Sequence, residues 1–151
     1  MNDVTKIEVT VASPGHGSIL GALHKSCFGD NSWPVGDIQQ LLQQPFTVAW
    51  LAALDAHPVG FAMVRRAADE AEVLTICTDG DHRRKGVGRQ LLAAIEQWSC
   101  ANHVHALFLE ASIQNEAACS LYRDVGFEQV GRRRGYYGNG ADAHIFARRI
   151  P

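Results

Sequence analysis

The chain has 151 residues and a formal net charge of −2 at pH 7, and 46% of its residues are hydrophobic. That length predicts a single domain, spanning residues 1–151, with one core. The slight acidity argues against general nucleic-acid binding, which needs a basic excess. No apolar run in the sequence is long enough for a membrane span, and the first residues do not open a secretory signal. We therefore expect a cytoplasmic protein that contacts neither nucleic acid nor membrane directly.

Apolar periodicity and turn residues predict the elements of the first part of the chain. In chain order they are a strand at residues 7–11, a helix that enters at Ser13-Pro14 and is broken at Trp33-Pro34, a short helix through Ile38, Leu41 and Leu42 that ends before Pro45, and strands at 46–54 and 59–65. The residues between these two strands, 55–58, are typical of a hairpin.

The same signals predict the elements of the second part. In chain order they are a strand at residues 72–78, a helix that buries Leu91, Leu92, Ile95 and Trp98, a strand at 104–112, a helix from the N-cap Asn115 to the stop Gly126, and strands at 127–132 and 144–148. This order predicts an α/β (α+β) fold, with a mixed, mostly antiparallel central sheet flanked by helices on both faces.

The run His82-Arg83-Arg84-Lys85-Gly86-Val87-Gly88, hereafter the basic loop, lies between a predicted strand and a predicted helix. Its glycines let backbone approach a ligand closely, and the first N–H groups of the helix point outward without intrahelical partners. The helix dipole adds partial positive charge. Four side chains add full charges: Arg83, Arg84, Lys85 and Arg89. We interpret the segment as a pyrophosphate cradle; the alternative is a basic loop with glycines at a helix start.

A second group of polar residues lies between positions 110 and 122. Glu110 ends an apolar strand, where burying a charge costs free energy unless the charge is paired or has a functional role. Tyr122 falls seven residues into the helix that starts at Asn115, about two turns, so the two share a face. A base at a strand end and a phenol on the adjoining helix are able to flank one small cleft. The alternative is a salt-bridged carboxylate and an ordinary core aromatic.

These segments resemble the GNAT superfamily of acetyl-CoA-dependent N-acetyltransferases. The spacing Arg83-x-x-Gly86-x-Gly88 matches the acetyl-CoA motif of that superfamily. Within it, the segments Leu109-Glu110 to Leu121-Tyr122, Gly126-Phe127 and Arg132-Arg133-Arg134-Gly135-Tyr136-Tyr137 are similar to enzymes that acetylate the N-terminal alanine of a small-subunit ribosomal protein. The resemblance covers most of the chain and is strongest over residues 72–137.

The resemblance implies a role for each matching position. For acetyl-CoA, the co-substrate, the implied contacts are Ile76, Cys77, Thr78, Arg83, Arg84, Lys85, Gly86, Val87, Gly88, Arg89 and Asn115. Glu110 is implied as the general base and Tyr122 as the general acid, while Tyr136 and Tyr137 would line the groove for the acceptor. The chain departs from the family at Thr78-Asp79-Gly80-Asp81, where Val-x-Pro is common, and Gly80 predicts a looser turn.

The chemistry favours a peptide N-terminus as the acceptor. An α-amine with a pKa near 8 is roughly 10% neutral at pH 7, whereas a lysine with a pKa of about 10.4 is well under ~0.1% neutral. A single carboxylate acting through water therefore suits an α-amine better. A backbone N–H near Cys77 or Thr78 would stabilise the oxyanion, and Tyr122 would protonate the departing thiolate. Neither a metal nor a covalent enzyme intermediate is required. The expected partner is a protein N-terminus, with the enzyme a monomer or weak dimer.

Other readings remain open. An acetyltransferase of a small amine, an antibiotic or a lysine would keep the same cofactor loop, and a non-catalytic acetyl-CoA sensor would need neither Glu110 nor Tyr122. The run Arg132-Arg133-Arg134 fits a solvated strand face, ribosomal RNA or an acidic partner equally. His103-x-His105 lacks a third metal ligand, so surface or packing roles are favoured. The cysteines form no C-x-x-C motif and are expected to be reduced core thiols: Cys27, Cys77, Cys100 and Cys119.

Overall fold

The computed structural model describes residues 6–135 and 140–151. In chain order its elements are β1 (Ile7–Val11), α1 (Gly17–Phe28), α2 (Val35–Gln43), β2 (Thr47–Leu54), β3 (His57–Ala67), β4 (Glu70–Thr78), α3 (Val87–Ala101), β5 (Ala106–Ser112), α4 (Glu116–Asp124), β6 (Glu128–Arg133) and β7 (Ala143–Arg149). Short 3-10 turns lie at Pro14–His16, Gly29–Asn31 and Gly80–His82. The predicted order of strands and helices is confirmed.

The described strands form one sheet in the order β1-β2-β3-β4-β5-β7-β6. β4 and β5 pair in parallel, while β1–β2, β2–β3, β5–β7 and β6–β7 pair antiparallel. The predicted mixed, mostly antiparallel sheet is therefore confirmed. The chain divides into two compact units, Met1–Arg65 with Leu74–Ile95 and Arg66–Val73 with Glu96–Pro151. That residues 1–151 act as one domain stays a prediction.

In the first unit, a tight hairpin joins β2 to β3. Leu54 pairs with His57, so the turn contains only Asp55 and Ala56, whose φ angles of 50° and 67° are both left-handed. Two left-handed residues give a turn whose twist matches that of the flanking strands. As a result β3 begins at His57, two residues before the predicted start. The core of this unit joins apolar residues of both helices and the sheet: Leu20, Leu23, Ile38, Leu51, Phe61, Met63 and Cys77.

In the second unit, β5 alternates between two environments. Leu107, Leu109 and Ala111 are buried, whereas the intervening Glu110 is half-buried. Successive side chains of a strand point to opposite faces, so Glu110 lies on the face away from Leu109. The core on this side also contains Phe127 of the α4–β6 connection and Phe146 of β7, both buried. The alternation therefore places the one carboxylate of this strand on the face opposite Leu107, Leu109 and Ala111.

None of the helices in residues 6–135 and 140–151 combines the length and apolar character that a membrane crossing requires.

Candidate functional site

The C-terminal end of β4 is held by a close approach from β3. Cys77 is buried, and Ile76 and Thr78 are half-buried. A Cβ at Gly60 would lie 2.6 Å from the carbonyl oxygen of Cys77 and 3.4 Å from the Cα of Thr78. Only glycine leaves room for main chain at that distance. Gly60 therefore fixes the position of the strand end that the family resemblance assigns to the cofactor.

The turn after β4 is held by hydrogen bonds that converge on Asp79. Its backbone N–H donates to the Val59 carbonyl at 2.7 Å, and its carboxylate accepts from Ser26 Oγ at 3.2 Å and lies 3.2 Å from His82 Nδ1. Partial burial would raise the pKa of the Asp79 carboxyl, but the hydrogen bonds from His82 and Ser26 hold that pKa below its ordinary value. These contacts span the position of Gly80, whose φ is not in the left-handed region.

The basic loop turns through two left-handed residues. Arg84 has a φ of 65° and Gly86 a φ of 86°. Arginine in this region is strained by about 1–2 kcal/mol, and such strain is often found where a ligand binds. α3 then begins at Val87, and its first hydrogen bond runs from the Gln90 N–H to the Gly86 carbonyl at 3.0 Å. The N–H groups before Gln90 therefore lie at the positive end of the helix dipole.

Four cationic residues lie next to this helix start in the sequence. All four are exposed: Arg83, Arg84, Lys85 and Arg89. Val87 is buried and ties the helix start to the core. Outward N–H groups, a helix dipole and exposed cations together form a site that fits a phosphate or pyrophosphate. The predicted cradle residues thus lie together in the first unit.

A cleft of about 310 Å³ lies in the same unit, against α1 and the Asp79 turn. Its lining is mainly apolar, with three polar side chains: Ser26, His57 and Asp79. The His57 and His82 rings lie 6.2 Å apart, centroid to centroid. The sequence patterns did not indicate this cleft, because its walls come from three segments that are distant along the chain.

In the second unit, Glu110 forms an ion pair with Arg133. Nη2 of Arg133 lies 2.8 Å from Oε1 of Glu110, whose side chain is 18% exposed. The sheet register explains the contact, because Glu110 pairs with Ile145, and Ile145 pairs with Gly131, two residues before Arg133. The ion pair gives the Glu110 carboxylate a cationic partner from β6. It also accounts for one charge of the Arg132-Arg133-Arg134 run.

Asn115 and Tyr122 lie at the two ends of α4. The side-chain oxygen of Asn115 accepts a hydrogen bond from the Ala118 N–H at 3.2 Å, so the predicted N-cap is confirmed. Tyr122 is buried, and its ring centroid lies 5.9 Å from that of Phe146 and 6.1 Å from that of Phe127. The ring is therefore a core aromatic, and its catalytic role stays a prediction.

A second ion pair joins Arg132 of β6 to Asp142, the residue before β7. Nη2 of Arg132 lies 2.6 Å from Oδ2 of Asp142, and Oδ1 of Asp142 accepts from the Gly135 N–H at 2.8 Å. The hydrogen bond from Gly135 and the pairing with Arg132 lower the pKa of Asp142. The predicted acceptor residues Tyr136 and Tyr137 lie outside the described residues.

The two histidines and the four cysteines named in the sequence analysis differ in their exposure. His103 and His105 are exposed, and the part of the chain that the structure describes contains no group of three metal-ligating side chains. The expectation of core thiols is wrong for Cys100, which is exposed, whereas Cys77 and Cys119 are buried and Cys27 is half-buried. Cys100 lies on the solvent side of the last turn of α3, where the helical pattern does not require an apolar residue.

Comparison with known proteins decides the family. The model of the Acetyltransferase (GNAT) family matches residues 19–127. The chain belongs to the GNAT acetyltransferase family. Its members use acetyl-CoA as the acetyl donor, and the basic loop and α3 lie within the matched range.

Relatives of this GNAT chain include bacterial N-terminal acetyltransferases. It is 36% identical over 125 residues to the N-alpha-acetyltransferase RimI of Mycobacterium tuberculosis, with 80% of this chain and 77% of that protein covered. It is 36% identical over 83 residues to the ribosomal protein bS18-alanine N-acetyltransferase of Salmonella typhimurium, with 55% and 56% covered. An uncharacterized protein of Mycobacterium leprae is 37% identical over 80% of this chain, which spans only 34% of that longer protein.

Solved GNAT structures share the fold over nearly the whole chain. The crystal structure of the Escherichia coli ribosomal-protein-S18-alanine N-acetyltransferase superposes with a TM-score of 0.89, at 25% identity, covering 96% of this chain and 94% of that one. Arabidopsis thaliana NAA60 in complex with acetyl-CoA superposes with a TM-score of 0.84 at 18% identity, covering 96% and 99%. The predicted GNAT fold is therefore confirmed.

Proposed function

We propose that this chain transfers the acetyl group of acetyl-CoA to the N-terminal α-amine of a protein, with alanine as the first residue and a small-subunit ribosomal protein as the acceptor. The observation that supports acetyl-CoA as the donor is the basic loop, where Arg84 and Gly86 are left-handed and exposed cationic residues adjoin the start of α3. The acceptor part rests on the similarity to enzymes that are named for alanine N-acetylation at the ribosomal protein.

Acetyl-CoA, when bound, supplies an activated thioester. The backbone N–H groups at the start of α3 and the side chains of Arg83, Arg84, Lys85 and Arg89 hold its pyrophosphate. By the family resemblance, the backbone of Ile76, Cys77 and Thr78 pairs with the pantetheine arm, and an N–H of this strand polarises the thioester carbonyl. Gly60 keeps that strand end in place, because any larger residue would collide with its main chain.

The family resemblance assigns the proton transfers to Glu110 and Tyr122. Glu110 takes a proton from the acceptor ammonium, directly or through a water molecule, so that a neutral amine attacks. Its ion pair with Arg133 gives the carboxylate a cationic neighbour at 2.8 Å. Tyr122 donates its phenolic proton to the thiolate that departs. No residue of the chain is acetylated in this scheme.

The acceptor groove is assigned to Tyr136 and Tyr137 by the same resemblance. The Arg132–Asp142 ion pair and the Gly135 hydrogen bond would anchor the chain on both sides of these tyrosines. Two aromatic rings with hydroxyl groups suit a short peptide, since they contact apolar and polar atoms together. We propose that the enzyme acts as a monomer or weak dimer, and that its macromolecular partner is the acceptor N-terminus.

Thiol release from acetyl-CoA tests this function with three acceptors. One is a peptide that begins with Ala-Arg-Tyr, the second is the same peptide with a blocked N-terminus and an internal lysine, and the third is spermidine. We expect release only with the free alanine terminus. Thiol release only with lysine or spermidine would overturn the proposed acceptor. Acetyl-CoA binding without thiol release in the presence of any of the three acceptors would favour a non-catalytic sensor. Glu110→Gln is the control for enzyme-dependent release.

A further inference from the structure

Asp79 forms hydrogen bonds with three segments of the first unit. Its carboxylate accepts a hydrogen bond from Ser26 Oγ of α1 at 3.2 Å and lies 3.2 Å from Nδ1 of His82. Its backbone N–H donates to the Val59 carbonyl of β3 at 2.7 Å, and its carbonyl accepts from the His82 N–H at 2.9 Å. His82 is the first residue of the basic loop. Asp79 therefore joins the basic loop to α1 and β3.

Core packing fixes the two ends of the connection from β4 to α3 but not its middle. Cys77 and Val87 are buried, whereas none of residues 80–86 is buried and only His82 among them is half-buried. A Cβ placed at Gly80 would have no described atom within 4 Å. Glycine also has the widest range of backbone conformations. Hydrogen bonds, and not packing, must therefore fix the path of the chain where it enters the basic loop.

The Asp79 carboxylate cannot favour an anion by its own charge. Partial burial would raise its pKa, but the hydrogen bonds from His82 and Ser26 keep the pKa below its ordinary value, so the group is ionised at neutral pH. A negative charge beside a phosphate site is unfavourable by Coulomb's law. Hydrogen bonds to an ionised acceptor are, however, stronger than those between neutral groups. Any benefit of Asp79 to phosphate binding must therefore come from the geometry that its hydrogen bonds impose.

We propose that Asp79 is a positioning residue for acetyl-CoA, which orders the basic loop through its contacts with α1, β3 and His82. The inference rests on the proposed function, in which the basic loop binds the pyrophosphate. Arg84 has a strained left-handed φ of 65°, and such a conformation persists only where the surrounding structure fixes it. Asp79 fixes the chain before Arg84, and the buried Val87 fixes it afterwards.

The expected effect of losing the carboxylate is on affinity and not on the chemical step. Without it, the loop samples conformations in which its N–H groups do not face the ligand. If the competent conformation falls to about a tenth of the population, the Kd for acetyl-CoA rises about tenfold. We therefore expect Asp79→Ala to raise the KM for acetyl-CoA by that factor. The kcat at saturating acetyl-CoA should change less than about twofold, because Glu110 and Tyr122 are assigned the proton transfers.

Asp81→Ala is the matched control, because it removes the same charge from the same turn. Asp81 is exposed, so its loss changes the local charge and leaves the contacts of Asp79 in place. Isothermal titration calorimetry with acetyl-CoA should give a Kd about tenfold higher for Asp79→Ala, and an unchanged or slightly lower Kd for Asp81→Ala. Equal effects of the two variants, or tighter binding by Asp79→Ala, would overturn the proposal.

Ser26→Ala keeps the test decisive if Asp79→Ala does not fold. It removes one of the two side-chain contacts of the carboxylate and should raise the Kd for acetyl-CoA by a smaller factor. An unchanged Kd in Ser26→Ala would then overturn the proposal. Thermal unfolding of each ligand-free variant separates a local effect from a loss of the fold.

Proline at position 80 tests whether the backbone carries the effect. Asp79 has a φ of −52° and a ψ of 137°, the extended conformation that proline favours in the residue before it. Gly80 begins a 3-10 turn in open space, where the proline φ of about −65° fits. Gly80→Pro should lower the Kd of Asp79→Ala to within about threefold of the wild type, and change the wild-type Kd less than about twofold. No rescue, with wild-type affinity in Gly80→Pro alone, would overturn positioning through the backbone.

The motion of the basic loop in the ligand-free protein gives a test that needs no acetyl-CoA. NMR relaxation of backbone amides reports motion on the picosecond-to-nanosecond timescale. We expect lower order parameters over residues 83–86 in Asp79→Ala than in the wild type or in Asp81→Ala. Unchanged order parameters would overturn the proposal. If the wild type binds no acetyl-CoA, the proposed function fails, while the order parameters still decide whether Asp79 orders the loop.

Discussion

Replacing Gly86 by alanine tests the backbone conformation of the basic loop without introducing a steric clash. Gly86 has a φ of 86°, yet among the described residues no atom lies within 4 Å of a Cβ placed there. Gly80, six residues earlier, is equally open but has no left-handed φ. Gly86→Ala and Gly80→Ala therefore add the same methyl group to the same connection, and only the first must occupy a disfavoured conformation.

The expected magnitude follows from that conformation. Alanine in the left-handed region costs about 1–2 kcal/mol. The variant loop relieves this strain by adopting another conformation, in which its N–H groups no longer face the ligand. Since each 1.4 kcal/mol is a factor of about ten, we expect the Kd for acetyl-CoA to rise about fivefold to thirtyfold in Gly86→Ala. For Gly80→Ala we expect a change of less than about twofold, because no strain is introduced.

Isothermal titration calorimetry with acetyl-CoA measures both constants directly. Thermal unfolding of the ligand-free variants serves as the control, since the strain must not be mistaken for global unfolding. An unchanged Kd in Gly86→Ala would refute the pyrophosphate cradle, and so would an equal weakening by Gly80→Ala.

The remaining predictions concern proton transfer, packing and pH. Glu110→Gln should lower kcat/KM by about a hundredfold or more, most strongly at low pH where the amine is mainly protonated; a wild-type pH profile would exclude Glu110 as the base. Tyr122→Phe should lower kcat and leave the Kd for acetyl-CoA unchanged, so unaltered turnover would remove the general acid. Gly60→Ala places a Cβ 2.6 Å from a carbonyl oxygen and should cost about 1–3 kcal/mol in urea unfolding, whereas Gly36→Ala, in open space on α2, should not destabilise. The pKa of Asp142 is lower in the folded protein than in the unfolded chain. The ionised carboxylate therefore stabilises the folded state above the unfolded-state pKa, and this contribution is lost as the pH falls through the folded-state pKa. The free energy of unfolding of Asp142→Asn should therefore equal that of the wild type only in acid. A constant difference between the two across pH would contradict the lowered pKa of Asp142.

Most of the chain order was predictable because its signals are local. Apolar residues at periods of two and of three to four distinguish strands from helices, and Pro45, Asn115 and Gly126 act within a few residues of themselves. The basic loop is likewise a local signal, since the glycines and cations adjoin the helix they cap. Errors occurred at element ends: β5 begins at Ala106, two residues later than predicted, because His103 has a left-handed φ of 58° and the Val104 N–H still donates to the Ser99 carbonyl of α3 at 3.0 Å.

The sequence alone predicted the family, the order of elements and an anion site at the basic loop, because each depends on neighbours in the chain. The tertiary structure decided which distant groups meet. Arg133 reaches Glu110 through the register of β5, β7 and β6, and Cys27 of α1 lies 3.3 Å from the Thr78 carbonyl oxygen of β4. Gly60 is required only because β3 approaches the main chain of β4 there. Register and packing arise from the sum of many weak contacts across the core, so no local pattern of residues specifies them.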